Sequence, residues 1–259
     1  MLIDLSGRTA LITGSTAGIG FEIASVLHAS GANIIFNGLT SKDVDAAIKR
    51  FDKNKRVRGV VADVGTLNGC QKIISSIPAV DILINNVGIF NAQPLFEIPD
   101  SEWERFFAVN VMSGVRLSRH YIPKMVTQGW GRTVFISSVA AIQIPPDRVH
   151  YGMTKTAQLA VARGFAEAVS SSGVTINSVI PGPTLSEGAE TYIKQMFPDL
   201  STEDASQKFI QKERPTSLLG RMTSVKEVAN MVVYLCSYGA SATNGSALRV
   251  DGGVLRGLL

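Results

Sequence analysis

The chain has 259 residues, 45% hydrophobic and 18% charged, with a net charge of +4. That is long enough for one large α/β domain, and the composition excludes a disordered or fibrous chain. No apolar run approaches the roughly 20 residues that cross a bilayer.

The opening MLIDLSGRTALIT lacks the basic start and cleavage site of a signal peptide, so a cytoplasmic location is expected. Cys70 and Cys236 lie far apart in helix-like segments and predict two buried or half-buried thiols. His28, His120 and His150 form no ligand cluster, so no metal site is expected. The basic residues are scattered, and the densest group, residues 49–58, alternates with apolar residues and an Asp. A solvated helix face and loop explain it better than a nucleic-acid footprint.

In chain order, an apolar run at residues 9–13 predicts a first strand. Residues 19–29 predict a helix, apolar at Ile23, Val26 and Leu27, with Gly31 as a natural C-cap. Strands follow at 33–36, 57–61 and 82–84. A long helix is predicted over 103–126, through Phe106, Phe107, Val111, Val115 and Leu117, until Pro123 loosens its end. Next come a strand at 133–137, an Ala-rich helix at 151–169 closing at Gly173, and a strand at 175–180. After Pro181-Gly182-Pro183 comes a polar stretch, 185–221, with two short helices near 189–197 and 203–212. A helix at 225–238 and a strand at 247–250 finish the chain. Most strands are apolar throughout, as parallel strands covered on both faces are. The alternation predicts a single doubly wound α/β domain over residues 1–259. The stretch 185–221 follows the C-terminal end of a strand, where open α/β sheets bind ligands, and is expected to be a substrate lid.

Between the first strand and first helix stands Thr13-Gly14-Ser15-Thr16-Ala17-Gly18-Ile19-Gly20. Glycines there let the backbone approach a pyrophosphate at the positive end of a helix dipole. Loops also collect glycine for turns, yet the strand–helix setting makes a dinucleotide site the reading adopted. At the end of the second strand, Phe36-Asn37-Gly38-Leu39-Thr40 offers neither the acid that accepts from the NAD ribose nor the Arg that pairs with the NADP phosphate. Position 17 is Ala, and Lys42 reads as a solvated lysine. NAD or NADP is therefore the cofactor expected, with the choice tilting to NAD.

Tyr151 and Lys155 are spaced i, i+4 at the start of a predicted helix and share one face. A nearby ammonium favours the phenolate and brings a phenol into use as acid or base. Alone, such a pair is common on surface helices. With TGxxxGxG at 13–20, Asn-Asn-x-Gly at 85–88, Asn110, Ser138, Tyr151-x-x-x-Lys155 and Pro181-Gly182, in that order, the chain resembles the short-chain dehydrogenase/reductase family over essentially its whole length. Its compact branch includes 3-oxoacyl-carrier-protein reductases and 3-hydroxybutyrate dehydrogenases.

The resemblance implies a Rossmann domain with a seven-stranded parallel sheet and helices on both faces. It implies hydride transfer between NAD(P) and a hydroxyl or carbonyl carbon, with Tyr151 as general acid/base. Lys155 would lower the phenol pKa and hold the nicotinamide ribose, Ser138 would bond the substrate oxygen, and Asn110 would hold a relay water. Gly14, Ser15, Thr16, Gly18, Ile19 and Gly20 would line the pyrophosphate and Leu39 the ribose. Asp63 and Val64 would meet adenine, and Asn86, Gly88, Pro181, Gly182 and Thr184 the ribose and nicotinamide. Competing readings stay open: Ser138 as a cap with Ser137 its rival, Asn110 as a solvent-facing residue, and Asp63 as a cap. Val87 replaces the family's usual alanine, a tolerable change.

Arg148, before Tyr151, is a candidate for an incoming carboxylate or phosphate, or a surface arginine. Phe90, Leu95, Phe96, Met196 and Phe197 are expected to wall an apolar pocket. A 3-oxoacyl thioester, a 3-hydroxy acid or a larger cyclic alcohol would fit it. No nucleic-acid or membrane partner is expected. A homotetramer is, with the final helix and the tail 250–259 as candidate interface. The rival readings are a non-catalytic nucleotide-binding scaffold or sensor of the same fold, a polyanion binder, and nucleotide-sugar epimerisation or dehydration.

Overall fold

The computed structural model describes residues 3–51 and 56–258. Within the basic group at 49–58, residues 52–55 lie outside the described residues, as do Met1, Leu2 and Leu259 at the tip of the tail.

The elements are β1 (Thr9–Ile12), α1 (Gly18–Ala29), β2 (Asn33–Gly38), α2 (Ser41–Lys49), β3 (Val57–Val61), α3 (Leu67–Ser76), β4 (Ile82–Asn85), α4 (Asp100–Phe107) and α5 (Ser113–Thr127). They continue with β5 (Gly131–Ile136), α6 (Val149–Ala168), β6 (Val174–Pro181), β7 (Thr184–Leu185), α7 (Glu187–Met196), α8 (Thr202–Glu213), β8 (Thr223–Ser224), α9 (Val225–Cys236) and β9 (Ala247–Val250). Seven strands form one sheet in the order β3-β2-β1-β4-β5-β6-β9, every pair parallel. The order reverses between β1 and β4, and the crevice at that reversal is where such sheets place ligands.

Both faces are covered. Ile12, Ile34, Phe36, Ile84 and Val134 pack against α1 and α9 through Leu27, Val232 and Val233. Their neighbours Leu11, Ile35, Leu83 and Phe135 point the other way, onto Cys70, Leu117, Tyr121 and Ala162 of α3, α5 and α6. This alternation of apolar partners explains why the strands read as unbroken hydrophobic runs. Cys70 and Cys236 are both buried and free, one in each layer.

One expectation about the long helix needs correction. It is interrupted by a π turn at Ala108–Met112, between α4 and α5. Its end at Thr127, past Pro123, lies one residue beyond the expected 126. The π turn widens the backbone at Asn110, a device that recurs at functional sites.

The stretch expected as a lid holds α7 and α8, with a small core of its own: Ile193, Ala205, Ile210 and Met222, flanked by Leu185, Phe197 and Phe209. Two paired residues of β7 and β8 tie its two ends together. Beyond β8, Ser224 and Glu227 form a capping box on α9. The Arg221 guanidinium beside Glu227 holds that carboxyl down at about 2.

Candidate active site

Asn37, at the end of β2, is buried and accepts from the Gly14 N–H at 3.3 Å while donating to the Val60 and Ala62 carbonyls. Asn86, past β4, donates through Nδ2 to the carbonyls of Thr13 and Gly14, both at 2.9 Å. The Thr13 hydroxyl accepts from the Asn86 and Val87 N–H groups. The turn is thus held from both sides. Gly14 and Gly18 take φ of +58° and +56°, and a Cβ on Gly20 would stand 2.5 Å from Asn86 Nδ2 and 2.6 Å from the Gly14 carbonyl. Only glycine fits these places. At the N-terminus of α1, Ala17 supplies no side-chain cap, whereas Thr40, Thr66 and Ser224 cap α2, α3 and α9. The opening N–H groups of α1 are left facing an acceptor from outside, as a phosphate-binding helix end is.

The second group gathers past the ends of β4, β5 and β6. Strand β5 ends at Ile136, so Ser137 and Ser138 lie beyond it. The Ser137 hydroxyl turns inward to the Lys155 carbonyl at 2.9 Å. Ser138 hydrogen-bonds the Tyr151 phenol and lines a cavity of about 450 Å³ beside it. Ser138 also accepts from the Ala140 N–H, so it caps as well. Lys155 is 4% exposed. Its Nζ donates to the Ile136 carbonyl at 2.9 Å and lies 5.6 Å from the centre of the Tyr151 ring.

Burial raises the Tyr151 phenol above its ordinary value, opposed by the Ser138 hydrogen bond and the Arg148 charge. Burial also pushes Lys155 down to about 7. Desolvation disfavours the charged form of each, and in the protein alone it outweighs the lowering of the phenol expected from Lys155.

Asn110 sits in the π turn, 1% exposed, not on a solvent face. Its Oδ1 accepts from the Ile89 N–H at 2.8 Å, and its Nδ2 donates to the Ile89 carbonyl and to the Thr154 hydroxyl. Its carbonyl accepts from Gln158 Nε2 at 2.6 Å. The side chain therefore locks the loop carrying Gly88, where a Cβ would come within 3.1 Å of Lys155 Nζ.

A family model described as enoyl-(acyl carrier protein) reductase matches residues 14–255. The chain belongs to the short-chain dehydrogenase/reductase family. It is similar to the uncharacterized oxidoreductase YvaG of Bacillus subtilis (strain 168), 44% identical over 262 residues and 99% of each chain. It is similar to the 3-oxoacyl-[acyl-carrier-protein] reductase FabG of Aquifex aeolicus (strain VF5), 30% identical over 98% of this chain and all of that one. Among solved structures it resembles the L-sorbose reductase of Gluconobacter frateurii complexed with NADPH and L-sorbose, with a TM-score of 0.92 and 30% identity over the whole of both chains. As a member of the family the chain is an NAD(P)-dependent oxidoreductase acting on a hydroxyl or its carbonyl.

Several site positions inferred from the family lie where the side chain is already engaged. Ser15 is fully buried, its hydroxyl donating to the Ile12 carbonyl and its N–H to the Asn37 carbonyl, so both donors are spent within the turn. The Asp63 carboxylate accepts from the Gly65 N–H in an Asx turn ahead of α3, whose cap is Thr66. Val64 is buried in the core beneath α3. Thr16 and Ile19 are partly buried in the turn, and Leu39 is exposed at the end of β2. Thr184 bonds the Gly182 carbonyl and the Thr223 hydroxyl, and a Cβ on Gly182 would strike the Asp251 backbone at 2.7 Å. Pro181 closes β6.

Of the expected apolar wall, only Phe90 lines the cavity, its ring 6.2 Å from that of Tyr151. Phe96 is fully exposed, and Phe197 packs into the small core of the α7–α8 segment. Leu95 and Met196 are not among the lining residues. Ala189, Tyr192, Phe209 and Met222 take their place, together with Arg148 and Arg214.

Two functional candidates had faint signals in the sequence. Gln158 lies two turns past Tyr151 on the same helical face. His150, fully buried, bonds Asn91 on the cavity wall at 2.8 Å and packs on Phe106. Arg214 had no signal, because its neighbours in the sequence are ordinary surface residues.

Proposed function

We propose that the protein transfers hydride between NAD(P) and the hydroxyl or carbonyl carbon of a small 3-oxoacyl, 3-hydroxyacyl or similar secondary alcohol or ketone, with Tyr151 as the general acid/base. The observation that carries this reading is that Ser138 and Tyr151 share the wall of one mostly apolar cavity, with the Ser138 hydroxyl acting on the Tyr151 phenol.

Bound NAD(P) supplies or accepts the hydride. The glycine turn and the uncapped start of α1 would hold its pyrophosphate, and Gly88, Lys155 and Gly182 its nicotinamide end. Ser138 and Tyr151 both face the cavity, so a carbonyl oxygen placed between them accepts from both hydroxyls. In reduction the phenol gives its proton to that oxygen; in oxidation it takes the proton back. A phenol held above its ordinary value keeps its proton for the reductive direction. Lys155, near 7, can hold or release a proton at neutral pH and so resupply the site. Asn110 and Gln158 keep the π turn and the Gly88 loop in register with that ammonium, and a relay water would share the Asn110 carbonyl with Gln158. The α7–α8 segment serves as the lid of a single domain.

Tyr151→Phe keeps the ring and removes the proton. Turnover of any ketone or alcohol that the protein reduces or oxidises should fall by about 10²–10⁴-fold while NADH still binds. A variant that retains activity overturns the reading.

The preferred cofactor in this proposal is NAD(H). Leu39 offers no charge, and the Thr40 hydroxyl is bonded to the Asp43 carboxylate, which disfavours a 2′-phosphate beside it. NADH binding more tightly than NADPH in a fluorescence titration is the expected result, and the reverse order refutes it. A cytoplasmic homotetramer completes the proposal. Its support is the exposed apolar group Leu218, Leu219 and Leu258 near the C-terminal tail, and sedimentation of the purified protein tests it.

A further inference from the structure

We propose that Arg148 and Arg214 form a two-guanidinium clamp for the carboxylate of an acidic substrate, so that the alcohol or ketone handled at Tyr151 is a hydroxy or oxo acid. The inference rests on the oxidoreductase reading above and gives its substrate a charge.

The two arginines come from different parts of the chain. Arg148 precedes α6, one turn before Tyr151, and Arg214 follows the last turn of α8. Both line the cavity that holds Tyr151 and Ser138. Among the described residues lining that cavity they are the charged ones, and no carboxylate shares the wall with them. Phe90, Tyr192, Phe209 and Met222 make up much of the remainder, so the charges meet a largely apolar chamber.

Neither guanidinium is matched by a close acid. The Arg148 ion pair is with its neighbour Asp147, at a loose 3.6 Å, and half of the Asp147 side chain is exposed. Arg214 donates to the backbone carbonyl of Glu213, while the Glu213 carboxylate lies 3.8 Å from Lys212. Asp147 and Glu213 line an adjoining recess that both arginines also border, with Gln143 and Pro146, so the acids meet the arginines there and not in the chamber of Tyr151. Burial and the Arg148 charge press the Arg214 pKa down, opposed by the charges of Glu213 and Asp147 and by Tyr192, and the lowering wins. Two like charges held together and partly buried are thus only partly offset, and a further anion on the chamber side would favour the pair. A planar carboxylate that accepts from both forks supplies that anion and fixes the hydroxyl-bearing carbon with respect to Tyr151.

A carboxylate fits better than an extended thioester, because both donors sit inside the chamber. Arg214 belongs to the lid, so substrate charge would draw the lid onto Arg148 and couple binding to closure.

The test pairs each acid with a neutral counterpart of similar size: 3-hydroxybutyrate with its methyl ester, and gluconate with sorbitol. Binding to the NADH-saturated protein is measured by ligand-observed NMR. At least one acid should bind about tenfold or more tightly than its neutral counterpart, the scale of a charge-assisted hydrogen bond. In Arg148→Gln and Arg214→Gln that ratio should fall towards one, and Arg214→Lys should restore part of it. Melting curves of all variants check that each is folded. Neutral members binding as tightly as the acids, or a ratio unchanged in Arg214→Gln, overturns the clamp. Inorganic phosphate displacing the acids more strongly than they displace each other also overturns it, in favour of a phosphate ligand. Tyr151→Phe separates the two readings. It should keep the acid preference in binding and lose turnover, so acid binding without a Tyr151-dependent turnover breaks the catalytic reading alone.

Discussion

The glycine turn and the α7–α8 segment, proposed above as a lid, are built on opposite principles. Around the turn, Asn37, Asn86 and Thr13 spend their hydrogen bonds on backbone groups from three strands, and the glycines touch those partners directly. The lid has its own small core of Ile193, Ala205, Ile210 and Met222, and most of its remaining surface is solvated. A cofactor common to many reactions asks for a rigid cradle whose cost is met on folding. A substrate that must enter and leave asks for an element whose packing can open without disturbing the sheet.

Gly20→Ala should break the rigid side most severely. Its Cβ would meet Asn86 Nδ2 and the Gly14 carbonyl inside contact distance. Overpacking of this kind costs about 1–3 kcal/mol. Cofactor affinity should fall together with the melting temperature, and an unchanged NADH titration would show that the turn adapts. Ile193→Ala should act on the other side alone. Amide exchange across α7 and α8 should speed up while the strands of the sheet keep their protection, and KM should rise. Equal loss of protection in the sheet would mean that lid and sheet open as one unit.

Gln158→Leu extends the test of the rigid side to the π turn. It leaves the Asn110 carbonyl without its 2.6 Å donor, a loss of about 1–3 kcal/mol for a buried acceptor. In a chain of this size that corresponds to a few degrees of melting temperature, roughly 2–4 °C per kcal/mol. Restoration by Gln158→Glu at low pH, where a protonated carboxyl can donate, would tie the effect to that hydrogen bond.

A last expected effect is a pH slope. Burial lowers Lys155 from its ordinary 10.5 to about 7. Between those values the unfolded chain holds a proton that the folded chain has released, so stability of the cofactor-free protein rises with pH across that window. Below about 7 both states are protonated and the full penalty of the buried charge remains. Lys155→Met should flatten this slope between pH 7 and 10 in melting experiments. A slope identical to that of the wild type would place the titration elsewhere.

Much of the fold was legible in the chain itself. The short runs at 57–61 and 247–250, apolar apart from an arginine in each and a glycine in the first, mark the two edge strands, and those spans match β3 and β9 residue for residue. The two lid helices lie within a few residues of where their polar–apolar period put them. The glycine spacing and the Tyr151–Lys155 interval likewise depend only on local backbone geometry, which neighbours in sequence dictate.

What the chain alone left open are the properties that need two distant segments to meet. At the π turn the Asn110 carbonyl accepts from Gln158 and its side chain from the Ile89 N–H, and no helical period encodes a widened turn. Ser138 rather than Ser137 faces Tyr151 because β5 ends at Ile136, a matter of register. The pocket wall expected from Leu95, Phe96, Met196 and Phe197 is instead made by Tyr192, Phe209 and Met222. Apolar character marks a residue for burial without saying against what. Arg148 and Arg214 become a pair only where the start of α6 and the end of α8 meet at one cavity. Composition and spacing therefore determined the reaction's chemistry in this protein, while tertiary packing decided what surrounds it, because charge and shape in a pocket are sums over residues far apart in sequence.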